Sequence, residues 1–357
     1  MPIRVFDFFS GCGGTSRGFQ QAGLELTLAL DFDADAANTF RLNFPQVTFL
    51  EGDIRGVAEE NIADKVESIR GPKLFCGCAP CQPFSKQNTV RPENDNRVML
   101  LAEFQRFVER YQPEYIFLEN VPGIRTSTKV NPLEGFQKTL GDMAYFTDSA
   151  IIAAQDYGVP QRRRRWVLIG SRLDEVSIPA ATHGENTNRR YVTVRDTIAR
   201  FPAIAAGGEH PTIPNHRAAR LSELNLLRLA HTPPEQGREN WPAHLQLECH
   251  RDYNGHSDVY GRMRWENVAT GLTTRCISLS NGRFGHPEQH RAISVREAAA
   301  IQTFPDDFIF TGSLNAQAKQ IGNAVPVRMA QVFGEYFIAH YNQYRIRDEY
   351  GEVPHQG

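Results

Sequence analysis

Short apolar runs alternate with amphipathic stretches through the first half of the chain. IRVFDFF (3–9), LTLALDF (26–32), KLFCG (73–77) and EYIFLEN (114–120) have the length and composition of buried strands. Between the last two, Leu100, Leu101, Phe104, Phe107, Val108 and Tyr111 recur at helical spacing. The first run leads through a glycine-rich turn into a helix ending near Gly23. This alternation predicts an α/β fold with a doubly wound, mostly parallel sheet, to which RWVLIG (165–170) adds a strand.

From about residue 175 the text turns rich in Pro, Gly, His and Arg, as in AAGGEHPTIPNH (205–216) and HTPPEQGRENWP (231–242). It contains no internal repeat and predicts a loop-rich second domain. Regular structure returns in SVREAAAIQTF (294–304) and PVRMAQVFGEYFIAHYNQY (326–344). There Pro326 suits a first helical position, and Met329, Val332, Phe333, Tyr336 and Phe337 make one apolar stripe. The last helix is expected to pack on the first domain, which makes the second an insertion.

Composition sharpens this only locally. The 357 residues are 41% apolar with a formal net charge of −2, so a sizeable core is available and no global field points to a nucleic acid. Residues 151–290, however, hold 18 Arg, no Lys and 14 Asp or Glu, a local net of +4, together with nine of the eleven His. The six cysteines, the lack of a signal-peptide pattern and the lack of a bilayer-length apolar run predict a reducing, cytoplasmic setting without a disulfide framework.

Two places carry chemistry. FSGCGGTSRGF (9–19) is a glycine turn opening a helix, where backbone N–H groups can meet an anion. Ser16 stands where a dinucleotide pattern has its third glycine; the turn fits a nucleotide, S-adenosylmethionine, or merely a tight strand-to-helix connection. Asp31, ending the second strand, is placed to accept from ribose hydroxyls. In LFCGCAPCQPFSKQ (74–87), Cys76 reads as an apolar core residue, Cys78 is ambiguous, and Cys81 is the candidate nucleophile on the loop leaving the strand. No second ligand pair lies nearby, and Cys249, His250 and His256 are distant, so no metal is expected.

PCQPFS (80–85), FSGCGG (9–14) and LENVPG (118–123) together resemble the bacterial cytosine-5 DNA methyltransferases. QDYGVPQRRRRWVLIGSR (155–172), REAAAIQTFPDDF (296–308) and QIGNAVP (320–326) continue the likeness in the family's order, leaving about 173–290 as the variable target-recognition segment. The resemblance implies the S-adenosylmethionine-dependent methyltransferase fold, in three parts. Residues 1–175 would form the catalytic and cofactor-binding domain, 176–310 the small recognition domain, and 311–357 the return to the first.

It further implies methyl transfer to C5 of a flipped-out cytosine in a specific sequence of double-stranded DNA. Cys81 would add covalently to C6, since a thiolate is both a strong nucleophile and a good leaving group. Glu119, with a raised pKa, would serve N3 and the exocyclic amine; Arg165 would hold O2, and Arg163 would orient base and backbone. Alternation along a strand puts Arg163 and Arg165 on one face and leaves Arg162 and Arg164 as a solvated charged face.

For the cofactor, the likeness carries over to Phe9, Gly11, Gly13, Asp31, Phe32, Asp53, Ile54, Pro80, Leu100, Asn323 and Val325. Relatives often have Glu where this chain has Asp31. Ser85, Thr273, Thr274 and Arg275 are the implied DNA contacts. A monomer at the bacterial nucleoid, associated with a restriction nuclease or other phage-defence components, is the implied setting. The alternatives are a tRNA cytosine-5 methyltransferase on the same fold, a non-catalytic DNA-binding module and a nicotinamide dehydrogenase.

Overall fold

The computed structural model describes residues 1–79, 100–123, 132–248 and 258–350. Pro80, Cys81 and Ser85, like Cys249, His250 and His256, lie outside the described residues. Strands β1 (Arg4–Phe8), β2 (Glu25–Asp31), β3 (Thr48–Glu51), β4 (Lys73–Gly77), β5 (Tyr115–Asn120) and β6 (Phe146–Ala153) alternate with helices α1 (Gly14–Ala22), α2 (Ala34–Asn43), α3 (Ala63–Glu67), α4 (Leu100–Tyr111) and α5 (Pro132–Asp142). A two-residue strand β7 (Gln161–Arg162) precedes β8 (Arg164–Ser171). Then follow α6 (Val194–Ile198), α7 (Glu223–Ala230), β9 (Ala269–Thr270), α8 (Val295–Ile301), α9 (Leu314–Asn323) and α10 (Val327–Tyr350).

The main sheet has seven strands in the order β3-β2-β1-β4-β5-β8-β6. The first five are parallel, as the sequence pattern predicts, whereas β8 runs antiparallel between β5 and β6. The apolar pattern does not predict β6. It lies at the edge, is mostly half-buried and carries no clean alternation of apolar and polar positions. Because the chain passes through β6 first and then turns back, the strand that fills the gap must enter antiparallel.

One sheet face packs Phe6, Phe8, Phe75 and Leu118 against Phe104, Phe107 and Phe136 of α4 and α5. The other packs Val5, Leu74 and Phe117 against Phe19 of α1 and Phe333 and Phe337 of α10. The last helix thus closes the first half of the chain, each buried phenylalanine contributing about 2 kcal/mol. Gly18 makes this closeness possible: a Cβ there would stand 2.4 Å from the Val327 carbonyl oxygen. α1 ends where expected, at Gly23, whose left-handed backbone lets its N–H close back on the Phe19 and Gln20 carbonyls.

The loop-rich part between β8 and α8 has few regular hydrogen bonds, so its carbonyls need other donors. Buried arginines supply them. Arg262 donates to the carbonyls of Leu229, Thr232, His286 and Gln289. Arg296 does the same for Pro214, Pro305 and Phe308, and Arg291 forms a fully buried two-pronged pair with Glu297. Arg262, which belongs to the arginine-rich stretch 151–290, is therefore architectural.

A second buried polar group joins four separated segments. Gln161 Nε2 donates to the Ile301 carbonyl (3.2 Å) and to the side-chain oxygen of Gln302, while its Oε1 accepts from Leu272 N (3.1 Å). Gln302 Nε2 donates in turn to the carbonyls of Ile321 (2.8 Å) and Ala324 (2.7 Å). Both glutamines are fully buried. Among the described residues no helix is long and apolar enough to cross a membrane.

Gln302→Ala removes the donor to two buried carbonyls and the acceptor for Gln161. The expected loss is about 2–4 kcal/mol, read as a lower thermal midpoint, whereas Gln331→Ala on the partly exposed side of α10 changes stability by less than about 0.5 kcal/mol.

His286 predicts acid lability. Its Nδ1 accepts from Glu288 N (3.2 Å) and Gln289 N (3.0 Å), so protonation there breaks both bonds. Burial, aided by Arg291 and Arg262 against the opposing Glu297 and Glu288, pushes its pKa down from 6.5 to about 4. A group with a depressed folded pKa stabilises above its unfolded value. This contribution, at most about 3 kcal/mol, is lost as pH falls from about 6.5 towards about 4. Thermal unfolding across that window should show the fall, and His286→Gln should flatten it.

Candidate active site

The strand order reverses between β1 and β4, and their carboxyl ends open a cleft of about 1230 Å³. Phe9, Gly11 and Gly13 carry the chain off β1 with left-handed backbones, at φ 63°, 54° and 98°. Phe9 and Gly11 line the cleft. Gly13 does not; it shapes the turn and packs on α2, where a Cβ would stand 2.4 Å from the Phe44 ring. Ser16 faces the other way and donates to Asp7 (2.5 Å), a carboxyl that burial pushes up to about 7. The residue that breaks the dinucleotide pattern thus fastens α1 to β1.

Asp31 braces the turn. Its Oδ2 accepts from Gly11 N (2.7 Å) and its Oδ1 from Asp33 N (2.9 Å), and burial raises its pKa against these two hydrogen bonds. Phe32 beside it presents a ring that is 63% exposed, an unusual state for so apolar a group on a cleft wall. Asp53 accepts from Arg55 N (3.0 Å) and Nε (2.9 Å), and the Arg55 guanidinium holds its carboxyl below the usual range. Ile54, Leu100 and Val325 are buried and line the cleft; Asn323 lines it from an exposed position. Leu100 also belongs to the core under α4, so it is at once a cleft wall and a core residue.

The opposite wall carries Glu119, next to last in β5 and paired in register with Val167. Two residues along β8, Arg165 shares that face and brings its Nε to 2.7 Å from Glu119 Oε1. The N–H is not aimed at the oxygen, which has no hydrogen-bond donor among the described residues. Asn120 ties the ends of two strands together, donating to the Ala79 carbonyl (3.2 Å) and accepting from Val121 N (2.7 Å).

Cys78, half-buried on the cleft wall, has its Sγ 3.7 Å from Cys76 Sγ and 3.8 Å from Thr15 Oγ1. Burial pushes the Cys76 and Cys12 thiols well up and that of Cys276 to about 12, which suppresses their thiolates. Among the described residues no three His, Cys, Asp or Glu gather as a metal site.

The four arginines that run from β7 into β8 alternate in exposure, with Arg162 and Arg164 exposed, Arg163 buried and Arg165 half-buried. Arg163 N donates back to the Gln161 carbonyl (3.0 Å), a tight turn centred on Arg162 between the two strands. All four border the cleft. Arg163 is buried, donates to the carbonyls of Leu272 and Gly322 (3.1 Å each), and has its pKa pushed down to about 9 by burial and then by Arg165. Its Nη1 and Nη2 serve backbone, while its buried Nε has no partner among the described residues. Arg162 and Arg164 are exposed, as expected, and both border the cleft.

Thr273 and Thr274 also line the cleft, while the exposed Arg275 is not among its walls. Four contributors escape a reading of the sequence. Asn120 adjoins Glu119 and Arg55 lies two residues beyond Asp53, so local spacing could have flagged them. Lys319, whose Nζ meets Asp33 Oδ2 at 2.6 Å, and the buried Gln161 sit beside partners more than a hundred residues away, where no local pattern reaches.

Comparison with known proteins agrees with this geometry. The family model for C-5 cytosine-specific DNA methylases matches residues 3–338. The Type II methylase M.HgiDII of Herpetosiphon aurantiacus is 37% identical over 337 residues, covering 93% of this chain and 94% of that protein. The Type II methyltransferase M1.HphI of Haemophilus parahaemolyticus is 33% identical over 342 residues, covering 94% and 86%. A prophage-encoded Escherichia coli protein assigned as a DNA modification methyltransferase shares the fold, with a TM-score of 0.73, 23% identity and coverage of 95% and 99%. With its carboxylate–arginine wall facing a glycine turn across the switch point of the sheet, this chain belongs to the C-5 cytosine-specific DNA methylase family and is a DNA (cytosine-5) methyltransferase.

Proposed function

We propose that the protein transfers the methyl group of S-adenosylmethionine to C5 of a cytosine flipped out of a specific duplex DNA sequence, through a covalent bond between Cys81 and C6. The observation that carries this is the pairing of Glu119 with Arg165 in a cleft that Cys78 and Ala79 also line, together with Asp31 and Phe32. The cleft fits the cofactor: Gly11 leaves open space where a Cβ would stand, and the bare Phe32 ring offers a stacking face for adenine. When bound, the cofactor supplies an electrophilic methyl group on a sulfonium.

The remaining steps belong to the chain. Arg165 leaves Glu119 for the cytosine O2, and Glu119 in its acid form donates to N3 while accepting from the amine. Cys81 thiolate adds to C6, which pushes the ring electrons onto C5. C5, so activated, would take the methyl group as its bond to the cofactor's sulfur breaks, and loss of the C5 proton to water would then expel the thiolate. Asp31 holds the ribose with the lone pairs not used by Gly11 and Asp33, and Asp53 with Ile54 receives the adenine. Pro80, Leu100, Asn323 and Val325 close the pocket.

We further assign 1–175 to catalysis and cofactor binding, 176–310 to target recognition and 311–357 to the return. Ser85, Thr273, Thr274 and Arg275 contact DNA. The Type II names of the relatives support a partnership with a restriction nuclease, in a monomer working in the bacterial cytoplasm.

Cys81→Ser should abolish methyl transfer while cofactor and duplex binding persist, because a hydroxyl ionises poorly near neutrality. Cys78→Ala should keep turnover. Duplex DNA carrying 5-fluorocytosine at the target should trap the wild-type enzyme as a thioether that maps by mass spectrometry to Cys81, and a link elsewhere would remove Cys81 from the mechanism. Asp31→Ala should weaken S-adenosylhomocysteine binding at least about tenfold, equivalent to about 1.4 kcal/mol, with non-specific duplex binding unchanged in calorimetric titration.

A further inference from the structure

Six cationic side chains line the cleft among the described residues: Arg55, Arg162, Arg163, Arg164, Arg165 and Lys319. Four are already engaged. Arg55 pairs with Asp53, Arg165 with Glu119 and Lys319 with Asp33, while Arg163 is buried and bonds the Leu272 and Gly322 carbonyls. Arg162 and Arg164 are exposed and make no ion pair or side-chain hydrogen bond with a described residue. Among the described residues, the exposed positive charge the cleft can offer a newcomer is therefore concentrated in these two.

Their place is set by backbone. Arg162 pairs in register with Thr270 of β9, on the segment that leads to Thr273 and Thr274, and Arg164 pairs with Ala153 of β6. Arg162, at the centre of the turn, and Arg164, the first residue of β8, are the exposed residues on either side of buried Arg163, and both border the cleft that the Arg165–Glu119 pair also lines. A base rotated towards Glu119 must draw its own sugar and phosphates across this lip. An arginine with no internal partner meets a phosphate without first breaking an ion pair, so its full attraction goes into binding.

We propose that Arg162 and Arg164 grip backbone phosphates of the duplex beside the flipped nucleotide, reading charge and not base identity. This rests on the function proposed above. The four arginines of QRRRR thereby divide the work among them. Arg163 holds the protein together, Arg165 serves the base, and Arg162 and Arg164 hold the strand.

The test is the salt dependence of binding to a non-specific duplex oligonucleotide, measured by fluorescence anisotropy on the full chain. Each phosphate contact releases counterions and contributes about 0.9 to the slope of log affinity against log salt. Arg162→Gln and Arg164→Gln should each lower the slope by about 0.9 and the affinity about eightfold at about 0.1 M salt, taking about 1 M as reference. Arg345→Gln on α10, away from the cleft, should change neither. Wild-type S-adenosylhomocysteine affinity in the variants would show that the cleft is intact.

Arg162→Lys and Arg164→Lys should restore the slope, since a phosphate needs a charge while a base edge needs the guanidinium fork. An unchanged slope in the double glutamine variant, or no recovery with lysine, overturns the proposal. So does a slope change seen with tRNA but not with duplex DNA. If the wild-type protein itself binds duplex DNA without salt dependence and transfers no methyl group, the functional reading has failed instead.

Discussion

Everything at the active site depends on burying polar side chains at the junction of four distant segments. Gln161, Gln302 and Arg163 together hold the backbone of Leu272, Ile301, Ile321, Gly322 and Ala324. An unpaired backbone group in such a place costs about 1–3 kcal/mol, so each side chain specifies where its segment must lie. The requirement is steric as well: a Cβ on Gly322 would stand 2.2 Å from the Thr273 carbonyl oxygen. Through this junction Gly271, Leu272, Thr273 and Thr274, the arginines from β7 into β8 and the loop before α10 become walls of one cleft.

Much of the scaffold was legible because it obeys short-range rules. β1, β2, β4, β5, α4 and α10 are apolar runs or stripes with the period of their element, and Gly23 ends α1 by the conformation glycine alone adopts easily. The misreadings have equally physical causes. β6 is an edge strand with a mixed face, and the direction of β8 depends on how the chain returns, which no run of apolar residues encodes. Asp31, Phe32, Glu119 and Arg165, expected from motif and resemblance together, all line the cleft. Arg163 is buried where alternation puts it, and what the sequence does not encode is that two of its donors serve distant carbonyls. Gln161 and Gln302 stayed silent because a buried glutamine looks, in sequence, like an exposed one.

The arginines show why composition misleads. A basic excess without lysine suits phosphate, and it equally suits loops that lack regular hydrogen bonding, because five donors on a planar head can satisfy several carbonyls at once. Arg262 and Arg163 take the second role, while Arg162 and Arg164, which have no side-chain partner among the described residues, are open to the first. Only burial separates them. The ion pairs lining the cleft have a related effect, since among the described residues they leave Arg55, Arg165 and Lys319 already paired.

The packing of α10 on α1 has a consequence for the protein as it is being made. The apolar face formed by Val5, Phe19, Leu74 and Phe117 is covered by Phe333 and Phe337, which follow Phe117 by more than two hundred residues. At a synthesis rate of about 5–20 residues per second, that face waits roughly 10–45 s for its cover. Until then the emerging chain carries the apolar side chains of that face without the helix that covers them, and exposed apolar surface of this kind favours aggregation.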